Sequence, residues 1–109
     1  MAVDEALAER VRGACASADG VTEKRMFGGL AFLVNGNMAV GVHGEDLIVR
    51  LAPEETDEAL AEPHVRVFDM AGRAMKGWVL VGPGATASED GLGAWVTRGL
   101  DFAESLPAK

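Results

Sequence analysis

The stretch RMFGGLAFLVNGNMAVGV, residues 25 to 42, decides the fold of this protein. It is almost entirely apolar, and its Asn35-Gly36 pair supplies the two positive φ angles of a type I′ hairpin. The sequence therefore predicts paired strands near 26 to 34 and 37 to 43. A second tight turn at Gly44-Glu45 then leads into a third strand.

Alternation along these strands predicts which side chains share a face, if Val34 pairs with Asn37 and His43 with Asp46. The predicted core face contains Ala31, Leu33, Met38, Val40, Val42, Leu47, Val49 and Leu51. The predicted opposite face contains Leu30, Phe32, Val34, Ala39, Gly41 and Ile48, beside Asn37, His43, Asp46 and Arg50. Because that second face is too apolar to be fully wetted, we expect another element or a second copy to cover part of it. The candidate interface residues are Leu30, Phe32, Val34 and Ile48.

Helices are predicted before and after this meander in the sequence. An apolar stripe with helical spacing follows a plausible N-cap at Asp4 and places Cys15 on the buried face, as a core thiol. Pro53 begins a short acidic helix that ends at Pro63. The last helix is predicted to begin at a capping box formed by Thr86 and Glu89.

Two further strands are predicted, at 64 to 68 and 78 to 81, joined by a connection over 69 to 77. The element order is then α-β-β-β-α-β-β-α, which is typical of an α+β fold with helices packed on a mostly antiparallel sheet. A length of 109 residues suits a single domain over 1–109.

Composition narrows the classes of function. The longest apolar stretch is far shorter than the ~20 residues of a membrane span, and the first residues do not resemble a secretory signal, so we expect a cytoplasmic protein. Cys15, His43 and His64 lack the close pairings of zinc motifs, so no metal site is expected. A net charge of -7 argues against a broad nucleic-acid surface.

No catalytic residues or cofactor are predicted. Gly82, Gly84 and Ala87 have the spacing of a dinucleotide-binding turn, but the parallel strand and acidic residue that should follow are missing. His43 and His64 are more typical of turn residues than of a general base, and no Ser-His-Asp set can be assembled. We therefore do not expect an enzyme.

The segment AGRAMKGWVLV, residues 71 to 81, is more distinctive because Arg73 and Lys76 stand among small and apolar residues beside Trp78. An arginine and a lysine can together hold a carboxylate or phosphate. The alternative is a basic connection whose long side chains cover the sheet edge. The candidate anion or partner contacts are Arg25, Arg73, Lys76, Trp78 and Thr86.

The sequence resembles the N-terminal domain of the TfoX/Sxy family. The resemblance is carried by RMFGGLAFLVNGNMAVGV (25 to 42), LIVRLAPEE (47 to 55), GRAMKGWVLV (72 to 81) and LGAWVTRGLDFAESLP (92 to 107). It implies a secretion-chaperone-type α+β fold, in agreement with the predicted order. Full-length relatives are implicated in regulating natural competence together with the cyclic-AMP receptor protein and carry a second, C-terminal domain. We expect a stand-alone copy of the N-terminal domain.

These observations favour a non-enzymatic regulator or adaptor that acts through protein contacts, as a homodimer and with a further protein partner. One alternative is a module that binds a small anionic ligand, a phosphate or nucleotide, through Arg73 and Lys76. Another is a weak DNA-binding accessory protein that uses the basic residues of the sheet.

Overall fold

A computed structural model describes residues 4–16, 18–26, 29–70 and 73–108 of the chain. The helices are α1 (Glu5–Ala14), α2 (Thr56–Leu60), α3 (Pro83–Thr86) and α4 (Glu89–Glu104), with a 3₁₀ turn over Pro53–Glu55 before α2. The strands are β1 (Val21–Met26), β2 (Gly29–Val34), β3 (Asn37–His43), β4 (Asp46–Arg50), β5 (Val65–Met70) and β6 (Arg73–Val81).

All six strands form one antiparallel sheet in the order β1-β2-β3-β4-β6-β5. The α+β class and the predicted order of elements are confirmed, with β1 added as an edge strand and α3 as a single helical turn. Strands β2, β3, β4 and β6 lie inside the sheet, whereas β1 and β5 form its two edges.

The turns of the meander are those that the sequence predicts. Asn35 and Gly36 have φ angles of 52° and 85°, as a type I′ turn requires, and Val34 pairs with Asn37. The second turn pairs His43 with Asp46. Both hairpins are therefore specified locally, by residues that tolerate positive φ.

One helix start is confirmed and another is wrong. The Asp4 carboxylate accepts hydrogen bonds from the N–H groups of Ala6 and Leu7 at 3.0 and 3.2 Å, which makes Asp4 the N-cap of α1. The last helix is not capped by Thr86, which is buried in α3. Its cap is Ser88, whose hydroxyl accepts from the Gly91 N–H at 3.0 Å. Pro83 begins a separate helical turn, so α4 starts later than predicted.

The predicted connection over 69 to 77 is also wrong, because most of it is strand. β5 continues to Met70 and pairs there with Arg73, the first residue of β6. The local sequence does not predict this hairpin, because residues 69 to 77 lack a clear alternation of apolar and polar side chains. The segment is extended because it pairs with the neighbouring strand. Gly77 interrupts β6 with a φ of 86°, and its N–H donates to the buried Thr56 hydroxyl at 2.7 Å.

The predicted face of β2 is wrong, and a β-bulge in β3 is the reason. Leu33 pairs with Met38 but Phe32 pairs with Val40, which leaves Ala39 as an extra residue. All side chains from Leu30 to Val34, together with Met38 and Ala39 of β3, lie on the face opposite to the predicted one, because successive side chains point to opposite faces. Leu30, Phe32 and Val34 lie in the main core, and Ala31, Leu33 and Met38 lie on the other face.

The main core lies between the sheet and the helices. Val40, Val42, Leu47, Val49 and Leu51 face it as predicted. The helices add Leu7, Ala8, Val11, Ala59, Leu92, Trp95, Val96, Leu100 and Ala103. Cys15 also belongs to this core and is 4% exposed, which confirms its assignment as a core thiol.

Candidate functional site

The sheet face turned away from the helices is called the reverse face here. It carries a second apolar cluster, to which no helical residue of the described part of the chain contributes. Its buried members are Ala31, Met38, Ile48 and Phe68, and its half-buried members are Leu33, Trp78 and Leu80. Ile48 is the candidate interface residue that lies here, whereas Leu30, Phe32 and Val34 are inside the main core and cannot contact a partner.

The centre of the reverse face is sheltered by side chains of the chain itself. Phe68, from edge strand β5, packs against Trp78 with ring centroids 6.0 Å apart and a tilt of 44°. Gly41 leaves room for Met38 and Ile48, because a Cβ on this glycine would lie 2.7 Å from the Met38 methyl carbon. Leu33, Trp78 and Leu80 remain as an apolar rim that still reaches solvent.

Basic side chains surround this apolar rim. Lys24 pairs across strands with Ala31, Arg50 with Trp78 and Arg66 with Leu80. Because paired residues point to the same side of a sheet, all three basic side chains lie on the reverse face. The Arg50 guanidinium lies 5.1 Å from the Trp78 ring centroid and 5.5 Å from that of Phe102 in α4. These distances are typical of cation–π contacts, so Arg50 holds the Trp78 ring in place at the surface.

Asp46 is the only carboxylate that the described strand side chains direct to the reverse face. It pairs with Arg66 at 2.6 Å across β6. The other ion pairs of the described residues lie on the helix side: Arg10–Glu89, Arg12–Glu9, Arg12–Glu23, Lys76–Asp57 and Arg98–Glu62. Charge is thus segregated, with a basic reverse face on a chain of net charge -7.

The predicted anion or partner contacts are not brought together as a group. Arg25 is on edge strand β1, four strands away from β6, and faces the helix side because it pairs with the core residue Leu30. Lys76 lies 4.0 Å from the Asp57 carboxylate, and Thr86 is buried in α3. Arg73 begins β6, but its side chain lies outside the described part. Among the candidate contacts whose side chains are described, only Trp78 belongs to the reverse face.

A cleft of about 340 Å³ between the Pro53–Glu55 turn, α2 and α4 is unsuited to an anion. Glu55, Glu58 and Asp101 line it. Its arginine, Arg98, pairs with Glu62 at 3.3 Å and lies 4.6 Å from the Trp95 ring centroid. Three carboxylates facing one engaged arginine would repel a phosphate or carboxylate ligand.

The described residues show no arrangement typical of nucleophilic or metal chemistry. Burial, together with the nearby Glu23 charge, raises the pKa of the Cys15 thiol, which disfavours the reactive thiolate. Within the described ranges, no cluster of His, Cys, Asp and Glu is placed to hold a metal ion. No helix of the described chain is long and apolar enough to cross a membrane.

A model of a known protein family matches most of the folded chain. The model of the TfoX N-terminal domain matches residues 14–103, from the end of α1 almost to the end of α4. The chain belongs to the TfoX N-terminal domain family. No curated protein and no solved structure matches the chain significantly. In this TfoX N-terminal domain the matched residues include the whole reverse face and the bulge beneath α4.

Three residues of the reverse face were not predicted from the sequence to lie there. Leu33 is assigned to the wrong side because the bulge was not predicted. Phe68 follows Val67 on β5 and lies on the opposite face by simple alternation, but it was not singled out as a site residue. Lys24 lies on β1, which was not predicted as a separate strand. Side-chain size was an available signal for β2, since Leu30, Phe32 and Val34 are larger as a set than Ala31 and Leu33 and fill a core better.

Proposed function

We propose that this TfoX N-terminal domain is a cytoplasmic, non-enzymatic regulator or adaptor that binds other proteins through its reverse face. The observation that carries the proposal is the apolar rim of Leu33, Trp78 and Leu80, which reaches solvent between basic side chains. No described helical residue belongs to this cluster, and α4 reaches only its margin, where Phe102 contacts Arg50. Membership of the family supports a role like that of competence regulators.

The composition of this face is that of a protein contact surface. Tryptophan and arginine are enriched at binding hot spots, where a large rigid ring loses little conformational entropy on association. Trp78 and Arg50 already stack on each other in the free domain. Pre-ordering of this kind lowers the entropic cost of binding.

A non-enzymatic role is supported by the surroundings of the chemically competent side chains. Cys15 is buried with a raised pKa, and His43 is exposed at the end of β3, across from Asp46 in the tight turn. Cys15 lines a cleft of about 280 Å³ together with Glu23, but both oxygens of that carboxylate accept hydrogen bonds from Arg12. A contact surface is the better-supported use of this fold.

The proposal is tested by replacing two rim residues with a polar, strand-compatible one. We expect Leu33→Thr with Leu80→Thr to reduce recovery of bound protein from native-host extract by about tenfold or more, because both side chains would lie in the contact. Val67→Thr is the matched control, since Val67 is 46% exposed on edge strand β5 and pairs with the core residue Val79.

Recovered proteins are quantified by mass spectrometry, and thermal unfolding confirms that each variant is folded. The same variants are compared by light scattering, because we also propose that the chain forms a homodimer, and the measured mass shows whether the second copy uses this face or another one. Unchanged recovery and unchanged mass in the folded double variant, or an equal loss in Val67→Thr, would show that the reverse face is not the contact surface.

A further inference from the structure

We infer that the partner of the reverse face is an acidic amphipathic segment of another protein, which packs apolar side chains on the rim and directs carboxylates to Lys24 and Arg50. This inference rests on the proposed function and adds the chemistry of the partner. The basic charge of this face supports an acidic partner, because the rest of the domain is strongly acidic.

Neither of the two cations has a carboxylate partner among the described residues. Arg66 is neutralised by Asp46 at 2.6 Å, whereas no ion pair within the described ranges involves Lys24 or Arg50. Lys24 is exposed, and Arg50 is half-buried between the Trp78 ring and the Phe102 ring of α4. Both are therefore able to pair with acidic groups that a partner brings.

The apolar cluster lies between these cations. Lys24 is on β1 opposite Ala31, and Arg50 is on β4 opposite Trp78, three strands away. At ~4.8 Å between strands and ~3.3 Å per residue, their backbones are about 16 Å apart. That distance corresponds to about three turns of α-helix. One short amphipathic helix can thus contact Lys24, the apolar rim and Arg50 together.

Other occupants fit the charges less well. A second copy that packs reverse face to reverse face brings the same cations into the contact. A second copy that presents its acidic helices makes a head-to-tail contact, which does not close on itself. A nucleic acid fits less well because its affinity depends mainly on the number of phosphates neutralised, and this face has few unpaired cations.

The test uses three fluorescein-labelled probes with the intact protein. The first is a 16-residue helical peptide with a leucine stripe flanked by glutamates, the second has lysines in place of the glutamates, and the third is a 16-nucleotide oligo-dT. Binding is measured by fluorescence anisotropy at low and moderate salt. We expect the glutamate peptide to bind at least ~10-fold more tightly than the other probes, and more weakly as salt rises.

Variants then locate the binding. Lys24→Glu with Arg50→Glu is expected to weaken the glutamate peptide at least ~10-fold, and Lys24→Glu alone to weaken it about threefold. Arg25→Glu is the matched control, because Arg25 neighbours Lys24 on β1 but faces the helix side. That variant is expected to bind within twofold of the wild type. Thermal unfolding verifies that each variant is folded.

Each other outcome overturns the inference. Equal binding of the lysine peptide, equal weakening by Arg25→Glu, or absence of peptide binding would exclude an acidic segment. Tighter binding of oligo-dT would identify a nucleic-acid surface instead. If Leu33→Thr with Leu80→Thr abolishes protein recovery but the charge variants leave that recovery unchanged, the proposed function stands and the acidic partner is rejected.

Discussion

Gly99 shows how a single residue sets the distance between α4 and the sheet. A Cβ on this glycine would lie 2.5 Å from the carbonyl oxygen of Ala39, the bulged residue of β3, and 2.6 Å from a methyl carbon of Val40. Gly93, in the same helix, has open space around the equivalent position. Helix propensity favours alanine at both positions, so the tertiary contact alone distinguishes them.

We predict opposite effects of alanine at these two glycines. Gly99→Ala should lower the free energy of unfolding by about 1–3 kcal/mol, because the neighbouring backbone must move to accept the methyl group. Gly93→Ala should raise it by about 0.5–1 kcal/mol through helix propensity. Urea denaturation measures both, and an increase for Gly99→Ala would contradict the close approach of α4 to β3.

Thr56 links α2 to β6 through one hydroxyl. Its Oγ1 accepts from the Gly77 N–H at 2.7 Å and donates to the Pro53 carbonyl oxygen at 2.8 Å, and the residue is buried. We predict that Thr56→Val destabilises the fold by about 1–3 kcal/mol, because the Gly77 N–H then has no acceptor. Thr56→Ser should retain most of the stability. Equal losses for the two variants in urea denaturation would rule out the hydrogen bond as the cause.

At the scale of elements, α1 is joined to edge strand β1 by an ion pair. Arg12 donates to the two carboxylate oxygens of Glu23 at 2.5 and 2.9 Å. The hydrogen bond from Arg12 lowers the pKa of Glu23 below its ordinary value. A carboxyl with a lowered folded-state pKa stabilises the fold above its unfolded pKa, and loses that contribution as pH falls through the folded value.

We predict that Glu23→Gln is less stable than the wild type at pH 7 and that the difference disappears in acid. Urea midpoints measured from pH 7 downward should converge as pH falls below about 4.3, the ordinary pKa of a glutamate. Arg12→Gln should show the same convergence, since it removes the same pair. A difference between wild type and Glu23→Gln that stays constant with pH would contradict this linkage.

At the scale of the whole molecule, stability is concentrated where the sheet meets α4. Strands β3 and β4 have neighbours on both sides and contribute Val40, Val42, Leu47 and Val49 to the main core. Edge strands β1 and β5 each pair on one side only, and β5 exposes Val67. Local opening therefore costs least at the edges.

We predict that amide hydrogen exchange will follow this order. Amides of β3 and β4 that are bonded within the sheet should exchange most slowly, near the rate set by global unfolding, and those of β1 and β5 should exchange faster. Native-state exchange followed by NMR measures this directly. Equal protection of β1 and β3 would mean that the sheet opens as one unit.

The candidate site was only partly predictable from sequence. Ile48 and Trp78 were named in advance and lie on the reverse face, whereas Phe68 and Lys24 were not named. The predicted anion group is dispersed because Arg25 lies on β1, four strands from the Trp78 strand β6, and Thr86 is buried in α3. Spacing along the chain carries no information about such distances between strands.

The sequence by itself determined the features whose physical causes are local. The Asn35-Gly36 turn, the Asp4 cap and the inward direction of Cys15 depend on backbone preference or on periodicity within a few residues. Only the tertiary structure decided which face of β2 enters the core. Both of its faces are apolar, so alternation alone gave no preference, and the extra residue in β3 at Ala39, beneath Gly99 of α4, selected the orientation.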